Sequence, residues 1–328
     1  MSAADGQIEV LDLRHFAAKQ LRGLLEEESR VWAERLDWDY RSSTELLLEY
    51  LDSRVLPGFV ALDRGKVCGY CFCVYEGEKA VIGDAFASRD GFAADGAMGT
   101  THLLLRHLLE MLQASPNIDR VESQLLLYDM GALAGPFVES GFRLYPRLFM
   151  EGALTGALVA NGAEMAAPEG MVLEQWSPAF YQAAGELIHA AYREHLDATI
   201  NDQYRSLHGS LRFLHNIVRF PGCGVFDAQA SWVLRETATG ALKGMVLCSR
   251  VREDIGHITQ LCVVPELRKQ GYGRRLLRHA AAQLAGRGFR GLSLTVTEGN
   301  AAAVRLYAEM GFTVRHRFEA MVWEREQE

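Results

Sequence analysis

Five cations and two glycines crowd into one short stretch of this chain. The residues are Arg268, Lys269, Gln270, Gly271, Tyr272, Gly273, Arg274 and Arg275, with Arg278 close behind. Gly271 and Gly273 lack a Cβ, so an anion can come close to the backbone there. An apolar run ending at Pro265 precedes them, and a helical pattern follows. A strand, a glycine turn and a helix start together leave free N–H groups at the positive end of a helix dipole. Local charge and backbone geometry therefore agree on a phosphate or a pyrophosphate. The turn lacks the Gly-Lys-Ser/Thr ending of a Walker A loop and the third glycine of a dinucleotide fingerprint.

The elements that must hold this turn are legible around it. The spacing predicts a strand over 171–176, then a helix over 178–193 with Ser177 as N-cap and Pro178 at its first position. A shorter helix covers 211–218, and 231–235 with 243–249 form a hairpin. Strands are expected over 257–264, 292–297 and within 313–324, and helices over 273–287 and 301–310. Antiparallel hairpins followed by a βαβ unit suggest an α/β (α+β) fold with a mixed central sheet flanked by helices.

The chain also repeats itself. Leu104-Leu105-Arg106-His107 matches Leu276-Leu277-Arg278-His279, 172 residues later. Glu139-Ser140-Gly141-Phe142 resembles Glu309-Met310-Gly311-Phe312 at 170, Gly83 lines up with Gly256 at 173, and Gly69 with Gly244 at 175. Four matches in one order at nearly one offset indicate a duplication. Domains are expected at 1–152 and 170–328, joined by a Gly- and Ala-rich linker at 153–169.

Composition narrows the classes. The 328 residues suit two domains, and 49% hydrophobic with 23% charged residues is ordinary globular composition. Thirty-four basic against 42 acidic side chains give a net charge of −8, which argues against a general nucleic-acid partner. The N-terminus has no signal-peptide pattern, and no run of 18 apolar residues is present, so a cytoplasmic protein without a membrane partner is expected.

The turn after Val263-Val264-Pro265, with Arg268 followed by Gly271 and Gly273, resembles the acyl-CoA pyrophosphate loop of the GNAT superfamily of N-acetyltransferases. A second segment strengthens the likeness. Asn300, Ala303, Tyr307, Gly311 and Phe312 are similar to the family's Asn-x-x-Ala-x-x-x-Tyr-x-x-x-Gly-Phe pattern. The resemblance covers about 170–328, and through element order and the repeat it extends to the first half. It implies two tandem GNAT-like acyl-CoA acyltransferase domains, similar in architecture to duplicated chains of the mycothiol synthase type. It further implies acetyl-CoA as co-substrate, no metal, and an amine acceptor on a small molecule or peptide. By the same resemblance Leu261, Cys262 and Val263 pair with the pantetheine arm. Residues 268–274 form the pyrophosphate loop. Asn300 contacts the pantetheine side or holds its turn, and Tyr307 lies near the thioester sulfur.

The chemistry asks for few groups. An amine of pKa about 10.4 is almost wholly protonated at pH 7, and deprotonating it costs roughly 4.6 kcal/mol without help. The CoA thiolate gains from a proton donor, a role Tyr307 can fill with an unperturbed pKa of about 10. A strand N–H within 261–263 would hold the oxyanion. For the base, strand alternation places His257, Thr259, Leu261 and Val263 on one face and Ile258, Gln260, Cys262 and Val264 on the other. His257 stands near the place where several relatives carry a Glu, and an imidazole suits neutral pH. Glu253 and Asp254 are alternatives.

By the same offsets the first half has lost this equipment. Gly96, Gly99 and Thr101 stand for Arg268, Gly271 and Gly273, Phe137 for Tyr307 and Met130 for Asn300. A non-catalytic GNAT-like domain is expected there. Cys68, Cys71 and Cys73 read as core, with Cys68 on the opposite strand face from the other two, and no zinc spacing follows. The polar loop with Glu194, His195, Asp197, Asn201, Asp202 and Tyr204 reads either as a solvated connection or, by the resemblance, as an acceptor-site lining suited to a cationic amine. The competing function is a CoA-binding sensor without turnover, against which Tyr307 and Asn300 argue.

Overall fold

The structure, a computed structural model, describes residues 8–89, 94–156, 158–159 and 167–326. In chain order the elements are β1 (Glu9–Asp12), α1 (Ala18–Leu36), α2 (Arg41–Asp52), β2 (Gly58–Asp63), β3 (Lys66–Glu76), β4 (Lys79–Ala87), α3 (Ala94–Ala114), β5 (Arg120–Gln124), α4 (Ala134–Glu139) and β6 (Arg143–Ala153). There follow β7 (Met171–Gln175), α5 (Tyr181–Tyr192), α6 (Asp197–Ile200), α7 (Leu207–Arg219), β8 (Val225–Phe226), β9 (Trp232–Glu236), β10 (Leu242–Arg252), β11 (Ile255–Val263), α8 (Tyr272–Gly286), β12 (Gly291–Thr297), α9 (Ala301–Glu309) and β13 (Thr313–Glu324). The expected second-half elements are all present. The 178–193 helix opens as a 3-10 turn, Pro178–Phe180, and Ser177 makes no side-chain cap. The next helix starts earlier than expected, at Leu207, because Ser206 accepts from the Gly209 N–H and caps it. Of the expected linker 153–169, residues 157 and 160–166 lie outside the described residues.

Two units pack separately: Met1–Leu36 with Tyr40–Pro146 and Phe318–Glu328, and Asp37–Asp39 with Arg147–Arg317. The first unit's sheet runs β1-β2-β3-β4-β5 and closes with the end of β13, which pairs antiparallel with β5 from Ala320↔Gln124 to Glu324↔Arg120. The second runs from the end of β6 through β12, β11, β10 and β9 to β7, with β6 antiparallel to β12 from Thr297↔Arg147 to Gly291↔Ala153. In each sheet one pair is parallel, β4 with β5 and β11 with β12. The units are therefore not the contiguous 1–152 and 170–328. Residues from Phe318 onward complete the first sheet, and Arg147 onward completes the second. Sequence order and repeat offset are the same whichever half a terminal strand joins, so neither reveals this exchange.

Within the second unit both faces of the sheet are covered. Leu276, Leu277, Ala280 and Leu284 of α8, with Tyr307 and Met310, pack on Val246, Cys248, Ile258, Leu292 and Leu294. Ala184, Leu187 and Ile188 of α5, with Leu214 and Ile217 of α7, pack on Met245, Leu247 and Cys262. Burial on two faces explains why β10 and β11 read as nearly continuous apolar runs.

The repeat holds as geometry. A Cβ built on Gly69 would lie 3.0 Å from Leu104 Cδ1, and one on Gly244 would lie 3.0 Å from Leu276 Cδ1. The Phe142 N–H donates to the Phe137 carbonyl at 2.9 Å, as the Phe312 N–H does to Tyr307 at 3.0 Å. Gly141 and Gly311 both end their helices in left-handed conformation, at φ 76° and 91°. The Gly83–Gly256 match does not hold. Gly83 is the residue skipped between Phe72↔Asp84 and Cys73↔Ile82, whereas the skipped residue of β11 is Thr259. Cys68, Cys71 and Cys73 share one core cluster. The alternation expected for Cys68 fails because β3 bulges there, between Ala61↔Gly69 and Leu62↔Val67. Among the described residues no helix is long and apolar enough to cross a membrane.

Candidate active site

A bulge and a splay create the site. The parallel pairing of β11 with β12 stops at Ile258↔Leu294, while β12 goes on pairing with β6 as far as Thr297. Beyond Ile258, β11 keeps its partner β10 but faces a gap on the other edge. The Val264 N–H donates to the Lys243 carbonyl at 3.0 Å on the β10 side. The Leu261 carbonyl instead accepts from the Tyr192 hydroxyl at 3.0 Å. Alternation then turns the backbone N–H and C=O of Leu261 and Val263 into the gap, and those of Cys262 toward Met245.

The bulge at Thr259 also inverts the expected side-chain faces. Ile258 packs with Leu261 and Val263 in one cluster, and Cys262 packs with Val264 in the other. His257 pairs with Ser293, whose neighbours Leu292 and Leu294 face the α8 side. It therefore shares the opposite face with Gln260 and Cys262, not the face of Leu261 and Val263. One extra residue in the strand shifts the period by one.

A cavity of about 650 Å³ opens at the gap. Leu261, Cys262 and Val263 line it, as do Arg268, Lys269, Gly271, Tyr272, Gly273 and Arg274, and Asn300 from the start of α9. Ala191, Tyr192 and His195 form the wall at the end of α5. Lys269 at φ 61° and Gly271 at φ 84° turn the loop sharply into α8, which begins without a side-chain cap. Its first N–H groups are thus available to an anion. The Arg268 guanidinium bonds the Ala191 carbonyl, and that of Arg274 pairs with Glu309. Gln270 does not line the cavity. Its amide donates to the Glu266 carbonyl at 2.9 Å and braces the loop.

Tyr307 is 8% exposed and packs edge-on against Phe312 at 5.9 Å. Helical spacing puts it on the face of Asn300 and Ala303, which line the cavity, but Tyr307 itself is not a lining residue and sits in the core next to Leu306. Burial, and then the Asp197 carboxylate, push its phenol well above the usual value. It stays protonated and can donate.

His257 is not brought to the cavity. It is 4% exposed, lies 5.0 Å from Trp38 and 6.0 Å from Phe149 between ring centroids, and its Nδ1 is 2.9 Å from Ser293 Oγ. Burial pushes its pKa down to about 3, which leaves a weakly basic, sealed imidazole. A different cluster stands at the cavity. His195 meets Tyr192 edge-on at 5.3 Å, and its Nε2 is 3.4 Å from Asn300 Nδ2. Its Nδ1 is 3.5 Å from Asp197 Oδ2. The Asp197 Oδ1 accepts from Thr297 Oγ1 at 2.5 Å. Burial alone would raise the Asp197 pKa. The His195 hydrogen bond, the Arg147 charge and the Thr297 hydroxyl outweigh it, so the carboxyl lies below its usual range. In the sequence these residues show only as a polar loop. The His-x-Asp spacing was the available signal, and Asn300, which completes the cluster, lies 105 residues away.

The first unit has the same frame with other occupants. Pairing of β4 with β5 stops at Ile82↔Ser123, and the bulge makes Asp84 the counterpart of Gln260. The Tyr128 hydroxyl donates to the Ala85 carbonyl at 2.7 Å, where Leu261 stands in the second unit. Phe137 takes the Tyr307 position, with its edge-on partner Phe142 at 5.1 Å. The buried Glu28 carboxyl accepts from Tyr70 at 2.7 Å and from Trp32 at 3.2 Å. Gly96, Gly99 and Thr101 lie inside α3 and are not loop counterparts. The true counterparts fall earlier, in a stretch that includes residues 90–93, outside the described residues.

Residues 190–312 match the model of the Acetyltransferase (GNAT) family. Over 68 residues the chain is 38% identical to the ribosomal protein bS18-alanine N-acetyltransferase of Escherichia coli strain K12, covering 20% of this chain and 46% of that protein. The chain thus spans about half the length of the curated relatives it matches. A GCN5-related N-acetyltransferase from Sphaerobacter thermophilus has TM-score 0.67 over 98% of this chain and 97% of that one, at 16% identity. A tandem GNAT protein from the clavulanic acid biosynthesis pathway has TM-score 0.60 over 98% and 100%, at 15% identity. The matched 190–312 span contains the splayed strand, the loop and α9, so this part of the chain matches the GNAT acetyltransferase family, and the chain as a whole shares the fold of a tandem GNAT protein.

Proposed function

We propose that the protein is an acetyl-CoA-dependent N-acetyltransferase whose second unit carries the reaction. The acetyl group would pass to a primary amine of a small molecule or peptide, by direct attack in a ternary complex. One observation carries this reading. A strand edge left without a strand partner and an uncapped helix start reached through a cationic loop meet at one cavity, with a protonated tyrosine buried next to Leu306 of its wall.

Bound acetyl-CoA supplies a thioester carbonyl for the amine to attack. The first turn of α8, with Lys269 and Arg274, fits the pyrophosphate. The Val263 backbone fits the pantetheine amide, and the Leu261 N–H faces the gap where a carbonyl oxygen gains charge. The Tyr307 hydroxyl gives its proton to the departing sulfur. The Cys262 thiol is pushed up to about 12 by burial, so it is a poor nucleophile, which supports direct transfer over an acyl-enzyme.

The first unit is proposed as non-catalytic. Phe137 stands in the place of Tyr307 and has no hydroxyl. The test is thiol release from acetyl-CoA with a panel of amines, for the wild type and Tyr307→Phe. Amine-dependent release that falls in the variant is expected. Tight acetyl-CoA binding without release for any amine would replace this reading with a sensor.

A further inference from the structure

The acetyl transfer proposed above needs a group to take the amine proton, and His257 is sealed away from the cavity. The contacts of His195 decide its tautomer. Asn300 is the N-cap of α9, and its Oδ1 accepts from the Ala303 N–H at 3.3 Å. That contact turns its Nδ2, which can only donate, toward His195 Nε2 at 3.4 Å. The pairing is favourable only with a lone pair on Nε2. The ring proton then belongs on Nδ1, which faces Asp197 Oδ2 at 3.5 Å. The Asp197 backbone N–H, 3.2 Å from Nδ1, favours the other tautomer. An ionised carboxylate is the stronger partner, and the Asn300 amide acts with it. The result is an imidazole at the cavity wall, backed by an aspartate that Thr297 orients. Its acceptor nitrogen, Nε2, is held by the Asn300 amide, which an entering amine replaces.

We infer that His195 is the general base for the amine, and that Asp197 positions it and stabilises its charged form. The inference rests on the acetyltransferase reading of the same cavity. Nε2 takes one proton from the ammonium and passes it to solvent, which frees the lone pair for attack; as the N–C bond forms, Nε2 takes a second proton from the same nitrogen. As the C–S bond breaks, the sulfur takes the Tyr307 proton. The imidazolium then returns its proton to solvent and the phenolate recovers one, so the products are amide and thiol. Charged groups flank the ring. Asp197 faces it, with Arg147 acting on Asp197 from behind. Lys269 and the tethered Arg268 and Arg274 line the same cavity. Tyr192 contributes a neutral ring whose pKa burial holds well above the usual value.

Two surrogate amines separate a base from a structural residue. Ethylamine is protonated at neutral pH and needs a base, whereas hydroxylamine is largely unprotonated and needs one far less. With acetyl-CoA as donor, His195→Gln should lower the ethylamine-to-hydroxylamine ratio of kcat/KM by about a hundredfold, the lower end of general-base effects. Asp197→Asn should move the same ratio in the same direction and displace the acid limb of the ethylamine pH profile. Calorimetric binding of acetyl-CoA by both variants shows that the fold is kept. Equal losses with the two amines, or none, would overturn the assignment to His195. Absence of thiol release with either amine in the wild type would instead remove the acetyltransferase reading on which it rests.

Discussion

The Tyr128 hydroxyl donates to the Ala85 carbonyl at 2.7 Å, on the edge of β4 beyond the point where its pairing with β5 stops. In the second unit the matching carbonyl of Leu261 is bonded by Tyr192, which comes from α5. Tyr128 comes instead from the segment after β5, on the gap side. A pantetheine arm would have to displace it. Calorimetry should therefore count one acetyl-CoA site per chain, and a stoichiometry of two would show that the first unit keeps a working site.

Tyr307→Phe should leave acetyl-CoA affinity nearly unchanged and lower kcat by about 10²-fold or more, the scale of a lost general acid. The hydroxyl is one atom on a ring already packed against Phe312, so the fold should not suffer. A variant with reduced affinity and unchanged kcat would place Tyr307 in binding rather than in proton transfer.

The two loop glycines should behave differently. Gly271 sits at φ 84° with nothing within 4 Å of a built Cβ, so its need is conformational. Gly271→Ala should strain the loop at a cost of about 1 kcal/mol or more and weaken acetyl-CoA binding. At Gly273 a Cβ would meet only Leu306 Cδ2, at 3.8 Å. Gly273→Ala should keep the melting temperature and lose affinity only through the methyl group in the cavity. Equal melting temperatures for both variants would contradict this division.

How much of this was visible in the residues depends on range. The loop from Arg268 to Gly273 and the segment from Asn300 to Phe312 are local, and their chemistry was legible before any coordinates. The faces of β11 were not, because one bulged residue, Thr259, inverts a period-two pattern without any mark in composition. His195 gains its meaning from Asn300 and Thr297, on elements that only the fold brings near. The exchange of β6 and β13 between the sheets leaves the repeat untouched, so it too could be seen only in pairing.

Burial pushes the His257 pKa to about 3, below the ordinary value near 6.5. The fold thus favours the neutral ring. That contribution is complete above pH 6.5 and is lost as pH falls toward 3, at up to about 1.4 kcal/mol per pH unit. His257→Gln keeps a polar side chain without the titration. Its melting temperature should fall less steeply than that of the wild type between pH 6 and 4, and parallel curves would show that His257 does not govern acid stability.

Glu28 titrates in the opposite sense. Burial, and then the charge and hydrogen bond of Asp84, raise its pKa well above the usual carboxylate value. Tyr40 and the Ala85 N–H both donate to Asp84, so Glu28 carries the proton the pair shares and Asp84 carries the charge. Protonated Glu28 stabilises the fold fully below the ordinary carboxylate range, and this is lost as pH rises through its raised value. Glu28→Gln replaces the acid with an amide that is neutral at every pH. The variant's melting temperature relative to wild type should therefore climb with pH, and a constant difference from pH 5 to 9 would show that the pair holds no shared proton.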